Sequence, residues 1–244
     1  MSYQMVLDVH THTLVSGHAY NTMQEMWRAA AENGLSVLGI TEHAPKMPGS
    51  CKSLYFSNFR VVPRSRYGVE LWLGAELNIL DYEGTVDLKE RDLKDLDVVI
   101  ASLHLPCIRP GSEKENTRAL LKAMENPYVD IIGHPDDSRY PIDMKALVEG
   151  AKETGKVLEL NNTSLKPTGF REGAWENDRR MLELCREYQV PVIVNSDAHM
   201  DVAVGDFTYA IQLLEEMEFP EELVLNRSRE AIYPYVNLSR REQK

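Results

Sequence analysis

Cysteine is scarce in this 244-residue chain, with three copies, Cys51, Cys107 and Cys185, far apart and odd in number. That excludes a disulfide framework and a zinc-finger spacing, and it fits buried or idle thiols in a reducing compartment. No apolar run approaches the ~20 residues needed to cross a bilayer. Met1-Ser2-Tyr3-Gln4 offers neither a basic n-region nor a long apolar h-region, so no signal peptide and no membrane association are expected, and the expected location is the cytoplasm. Positive charge is also in deficit, with 27 Lys and Arg against 38 Asp and Glu, a net charge of −11. Such a surface disfavours non-specific binding to nucleic acid or anionic membrane, so no nucleic-acid partner is expected. An anionic substrate would then need a local reversal of sign. Low-complexity stretches, linkers and repeats of fixed residue identity are absent as well. What remains is ordinary globular composition, 43% hydrophobic and 27% charged, in a length that suits one α/β barrel or two small domains.

What recurs is an alternation. Short β-branched or aliphatic runs at residues 6–10, 37–41, 70–79, 98–102, 129–133, 157–160 and 192–195 read as strands. Helical patterns separate them at 22–33, 87–96, 114–125, 143–154, 172–188 and 202–218. In the first helix Met23, Met26, Trp27 and Ala30 form an apolar stripe at i, i+3, i+4 and i+7. Gly34 and Gly155 stand where helices stop. Strand–helix alternation along a whole chain favours a parallel sheet with helices outside, and about seven strands suggest a closed barrel of seven units. A doubly wound open sheet fits the same periodicity.

The histidines carry the chemistry. Asp8-Val9-His10-Thr11-His12-Thr13 ends the first strand, and side chains two apart on a strand point to the same side, so His10 and His12 can share one metal ion. A lone His-x-His also fits two ordinary polar residues at a strand end. The other five are His18, in the loop after that strand, and His43, His104, His134 and His199, each at or just past a predicted strand's C-terminal end. In a parallel barrel those ends share the face on which active sites are built. Asp197 and His199 repeat the two-apart geometry. Glu76 lies inside the apolar run Leu71-Trp72-Leu73-Gly74-Ala75-Glu76-Leu77, where a carboxylate is costly unless paired or bound to metal; an exposed edge strand would also tolerate it.

Asp8-Val9-His10-Thr11-His12-Thr13, Thr41-Glu42-His43, Gly74-Ala75-Glu76, Ser102-Leu103-His104, Gly133-His134-Pro135 and Ser196-Asp197-Ala198-His199 together resemble, in order, the motifs of the PHP (polymerase and histidinol phosphatase) superfamily. The nearest likeness is to its stand-alone YcdX-like phosphatase branch, supported by His18-Ala19-Tyr20 and Asn161-Asn162. The resemblance spans nearly the whole chain. It implies one hydrolase domain over residues 1–244, folded as a distorted (β/α)7 TIM-like barrel, with three divalent transition-metal ions at the C-terminal face, zinc first and manganese or iron as alternatives. Carried over residue by residue, His10, His12, Glu76 and Asp197 would bind the first ion and His18, His43 and His199 the second, while Glu76, His104 and His134 would bind a third. Metal-bound hydroxide would be the nucleophile, and no side-chain general acid is identified. Two departures stand out: Glu42 where the family usually has Asp, and the acidic Asp136-Asp137-Ser138 after His134-Pro135.

The function this implies is release of phosphate from small phosphomonoesters. Residues 44–69 contain Lys46, Lys52, Arg60, Arg64 and Arg66, no acid, and the aromatics Tyr55, Phe56, Phe59 and Tyr67. They read either as a lid that meets phosphate or as a solvated basic loop. Lys46, Arg60, Arg64 and Arg109 are the candidate substrate contacts, with Lys166 and Arg171 behind them. Three rivals remain: a phosphodiesterase or nuclease of the same family, a non-catalytic metal-binding barrel, and an amidohydrolase-type barrel. The last usually needs a carbamylated lysine at a strand end, and no suitable lysine is present. Self-association is left open.

Overall fold

The described residues form eight strands: β1 (Leu7–Asp8), β2 (Val37–His43), β3 (Ser65–Arg66), β4 (Val69–Asn78), β5 (Val99–Ser102), β6 (Ile131–Ile132), β7 (Val157–Asn161) and β8 (Val192–Asn195). This is a computed structural model, and it describes residues 3–242. Seven strands run parallel in the order β1-β2-β4-β5-β6-β7-β8, and β3 is a two-residue antiparallel spur on β4. Helices Met23–Glu32, Glu113–Met124, Met144–Thr154, Ala174–Tyr188 and Thr208–Glu216 lie along the chain between or after the strands. Two begin with reciprocal capping boxes, Thr22 with Glu25 and Ser112 with Glu115, which satisfy backbone N–H groups that have no helical acceptor.

The ring of strands is nearly closed. Between β8 and β1 there is a single parallel bridge, Thr11 with Ala198, where the His12 N–H donates to the Ala198 carbonyl at 2.8 Å. Lower in the gap a side chain stands in for the missing ladder. Asn226 donates from Nδ2 to the carbonyls of Leu7 (2.9 Å) and Val194 (2.7 Å), and its Oδ1 accepts the Val194 N–H at 2.8 Å.

Strand alternation sorts the side chains into two sets. Leu38, Ile40, Leu71, Leu73, Ala75, Val99, Ala101, Ile132, Leu158, Leu160 and Val194 pack outward into the layer shared with the helices. Leu7, Val37, Trp72, Ile100, Ile131, Val157 and Ile193 fill the barrel interior with Leu225, Ile232 and Val236 from the C-terminal segment. Following β4 upward on its inner face, Trp72 gives way to Gly74, then Glu76, then Asn78. The interior is thus apolar below, narrow in the middle and polar above. Gly39 and Gly74 sit at the narrow level: a Cβ on Gly39 would lie 2.6 Å from the Val9 Cα, and one on Gly74 would collide with the Val98 carbonyl.

The expected barrel is present, as a single α/β domain. Some elements are shorter than the periodicity predicted. The helix expected over 202–218 starts at Thr208, because Gly205 takes a left-handed backbone (φ 72°) and Asp206 turns back to accept from Thr208. The one expected over 87–96 is a single turn, Glu90–Leu93. In the basic segment, Phe56 and Phe59 are buried in the outer core and hold it against the barrel wall. No helix among the described residues is long and apolar enough to cross a membrane.

Candidate metal centre

The upper ends of the strands gather all nine residues expected to bind metal into one cluster. Glu76 stands at its middle. Its Oε1 is 2.8 Å from His134 Nε2 and 3.1 Å from His104 Nε2; its Oε2 is 2.7 Å from His43 Nδ1, 3.4 Å from His10 Nε2 and 3.5 Å from His12 Nε2. Asp197 Oδ1 lies 3.3 Å from His12 Nε2 and 3.6 Å from His10 Nε2. His18 stacks on His43 and His199, at centroid distances of 4.8 and 4.9 Å. Two of these residues occupy left-handed backbone, His134 at φ 30° and Asp197 at φ 53°. Such conformations are uncommon for residues other than glycine, and here they turn side chains inward just past a strand end.

Most of the rings are held from behind. His10 Nδ1 donates to Glu159 Oε1 at 2.6 Å, His104 Nδ1 to Asn78 Oδ1 at 2.8 Å and His199 Nδ1 to the Asp197 carbonyl at 2.9 Å. An N–H committed outward on one ring nitrogen leaves the other as a lone pair facing the cluster, the arrangement that metal-ligating imidazoles adopt. Glu159 is fully buried and also accepts the His134 N–H (2.8 Å), Asn195 Nδ2 (2.8 Å) and Asn161 Nδ2 (3.1 Å). Glu42 acts through Ser16. It accepts from Ser16 Oγ at 2.6 Å and from the Thr13 N–H and hydroxyl, and Ser16 in turn touches His12 Nδ1 at 3.1 Å and accepts the His43 N–H at 2.9 Å. It thereby steadies the His12 ring and the backbone of His43.

The donor set fits divalent cations. His10 Nε2, His12 Nε2, His43 Nδ1, His104 Nε2 and Glu76 Oε2 are buried without a hydrogen-bond partner, a costly condition unless a cation takes their lone pairs. Four overlapping triads have ligand atoms within 4.8 Å of one another: His10 with His12 and Glu76, His10 with His134 and Asp197, His43 with Glu76 and His104, and His12 with His43 and His199. The cluster is continuous, and the sharp division into three ligand sets does not follow from these distances. The charges of the cluster act on one another: burial would lower the His10 imidazole, but Glu159, Glu76 and Asp197 hold it well above its ordinary value. Burial would raise the carboxyls of Glu76 and Asp197, but the surrounding imidazoles, and Arg171 beside Asp197, hold both well below their ordinary values. Burial, with His43 and His199 nearby, keeps His12 far below the usual imidazole value and His18 down to about 4.

A cavity of about 750 Å³ opens above the cluster, lined by His18, His43, His104, His134, Asp197 and His199 at its floor. Of the candidate substrate contacts Arg171 lines it, and Lys46, Arg60, Arg64, Arg109 and Lys166 do not. Arg64 pairs with Asp97, just before β5 at the opposite end of the barrel. Lys46, Arg60 and Arg109 are exposed and absent from the cavity wall, to which the basic segment contributes only Met47 and Pro48. The cavity's cations are Arg139 and Arg171. Arg171 is nearly buried, with Nη2 3.1 Å from Asp197 Oδ2 and Nη1 3.0 Å from Ser164 Oγ. Arg139 grips both oxygens of Asp137, at 2.5–2.9 Å. The acidic run after His134 is thus no acidic rim: Asp137 is neutralised, and Asp136 is buried beside Asp178, whose carboxyl is pushed well above its ordinary value by burial and by Asp136.

Residues 8–166 match the family described as PHP domain. A curated protein of Clostridium novyi named as a probable phosphatase is 46% identical over 231 residues, 95% of this chain and 94% of the relative. One from Caldanaerobacter subterraneus subsp. tengcongensis, also named as a probable phosphatase, is 47% identical over 242 residues, covering 99% and 94%. Among solved structures, the histidinol phosphate phosphatase of Lactococcus lactis, crystallised with zinc, L-histidinol and phosphate, superposes with a TM-score of 0.60 at 16% identity, over 89% of this chain and 95% of that one.

Proposed function

The chain belongs to the PHP-domain family, and on that premise we propose that it is a metal-dependent phosphatase that releases phosphate from small phosphomonoesters at a trinuclear centre. One observation carries the reading. Five buried, unpartnered donor atoms from His10, His12, His43, His104 and Glu76 face a common space beneath an open cavity. His10, His12, Glu76 and Asp197 would hold one ion, His18, His43 and His199 a second, and Glu76, His104 and His134 a third. Nitrogen-rich ligation suits zinc, with manganese or iron next. Divalent ions so held would supply an acidified water and charge to offset the phosphoryl oxygens. The chain's own residues do the rest. Glu159, Ser16 and Asn78 fix the ring orientations, and Arg171 places a permanent positive charge at the cavity edge, which suits a phosphate dianion on an acidic protein. The domain proposed is the whole of residues 1–244, acting without nucleic acid; its location is proposed to be cytoplasmic.

The test is a panel of p-nitrophenyl phosphate, bis-p-nitrophenyl phosphate and single-stranded DNA, with and without added zinc or manganese, on the parent protein and on His12→Ala and Asp197→Ala. The expected result is metal-dependent release from the monoester, abolished in both variants while the helical circular dichroism persists. Turnover retained in both variants would remove the metal mechanism. Preference for the diester or DNA would move the assignment to the nuclease branch of the family.

A further inference from the structure

The wall of the cavity is chemically unlike its floor. Leu105, Phe170 and Met200 come from three separate loops, after β5, β7 and β8, and converge on the mouth with 44%, 63% and 48% of their surface exposed. Pro106, Met47 and Pro48 continue the same surface. Apolar side chains gathered around a polar floor are the ordinary make-up of a pocket that receives an organic group. Phe170 is steadied by two guanidinium groups, Arg171 at 4.9 Å and Arg139 at 5.7 Å from its ring centroid. The volume of about 750 Å³ leaves room for far more than a phosphate ion.

The charges of the wall are equally informative. Asp137 and Asp197 are the carboxylates among the residues that line the cavity. The first is held by Arg139 and the second by Arg171 and the histidine cluster. No lining carboxylate is left unpaired to receive an ammonium group. Resting on the phosphatase reading above, we propose that the substrates are phosphomonoesters of uncharged, apolar alcohols carrying a flat ring, with Phe170 as the residue that selects the leaving group. Hydrolysis forms one bond from a water oxygen to phosphorus and breaks the bond from phosphorus to the ester oxygen. The water supplies the proton that the departing alcohol takes up, so inorganic phosphate and a neutral aromatic alcohol leave. Amine-bearing esters such as L-histidinol phosphate are disfavoured by the same wall.

The test separates binding from turnover. Calorimetric titration of the metal-loaded protein with 2-phenylethylphosphonate, ethylphosphonate and 2-aminoethylphosphonate reads the wall without chemistry. The phenyl compound is expected to bind at least about tenfold more tightly than the ethyl one, and the amine more weakly than either. Phe170→Ala, an exposed loop substitution, is expected to erase most of the phenyl preference, and Phe170→Tyr to keep it. The matching phosphate esters share primary alkyl leaving groups, so their kcat/KM ratios are expected to follow the same ranking, carried mainly by KM. An amine bound as tightly as the phenyl compound, or a phenyl preference untouched in Phe170→Ala, overturns the proposal. Ranked phosphonate binding with no ester turned over would remove the phosphatase reading, and with it the substrate assignment, and leave only the preference of the wall for a flat ring. Equal binding with all esters turned over would do the opposite.

Discussion

Replacing Glu159 by Gln changes one atom of a side chain that touches no substrate, yet it is expected to cripple metal loading. Glu159 faces four donors: His10 Nδ1 and Asn195 Nδ2 on Oε1, the His134 N–H and Asn161 Nδ2 on Oε2. Asn195 cannot turn over, because its Oδ1 accepts the Val9 N–H at 2.9 Å. An amide has one oxygen, so its NH2 must confront two of the four. With nitrogen at the Oε1 position, His10 can stay bonded only by taking the tautomer that protonates Nε2, which then has no lone pair for an ion. With nitrogen at Oε2, the backbone that presents His134 loses its anchor. Either way, about two buried hydrogen bonds to a charged group are lost, each worth about 1.5–3 kcal/mol. Loss of such an outer ligand partner typically costs 10–100-fold in metal affinity, about 1.4–2.7 kcal/mol. The assay is competition with a chromophoric chelator, with His10→Ala as the reference for complete loss of that ligand. Glu159→Asp, which keeps both oxygens on a shorter arm, is expected to fall between. If Glu159→Gln yields the parent's competition curve and metal content, the carboxylate does not hold His10, and the reasoning fails.

Chelation should lower thermal stability, because each ion bound only by the folded state adds about 4 kcal/mol at a thousandfold excess over Kd, or about 8–16 °C in melting temperature at this size; calorimetry before and after refilling with zinc reads it. Gly74→Ala should fail to accumulate as folded protein, since its methyl would meet the Val98 carbonyl of the next strand rather than a movable side chain; a normal cooperative melt would contradict the narrow packing level. Arg64→Ala should cost stability, by roughly 1–2 kcal/mol from the uncovered Asp97, while kcat/KM for p-nitrophenyl phosphate stays within about twofold of the parent. A tenfold loss of kcat/KM would return Arg64 to the substrate site.

The residues that gather at the cluster could be read from the sequence because each marks itself locally. His10, His43, His104, His134 and Asp197 follow apolar runs that form strands, and strand ends in a parallel barrel converge without further information. What holds them could not be read so easily, since the partners are remote: Glu159 meets His10 across 149 positions and Asn226 reaches Leu7 across 219. Glu159 did leave a trace, as a carboxylate inside the apolar run Val157-Leu158-Glu159-Leu160, the same signal that singled out Glu76. The basic segment left a phosphate lid and a solvated loop both open, because clustered charge fits either. Its aromatics Phe56 and Phe59 lie under the outer layer, with Arg60 on the surface and Arg64 against Asp97. Arg139 offered no pattern, since its position at the cavity depends on the irregular loop after β6.

The incomplete join between the first and last strands gives the centre a mechanical part to play. His10 and His12 stand on one lip of that split, Asp197 and His199 on the other, and between them the polypeptide supplies one backbone bridge, the Asn226 amide, and side-chain ties from Asn195 to the Val9 N–H and from Asp8 to Ser196. Ions gripped from both lips would act as a clasp on an open ring. Loading them would stiffen the join that lacks a continuous strand ladder, so catalyst and fastener would be the same object.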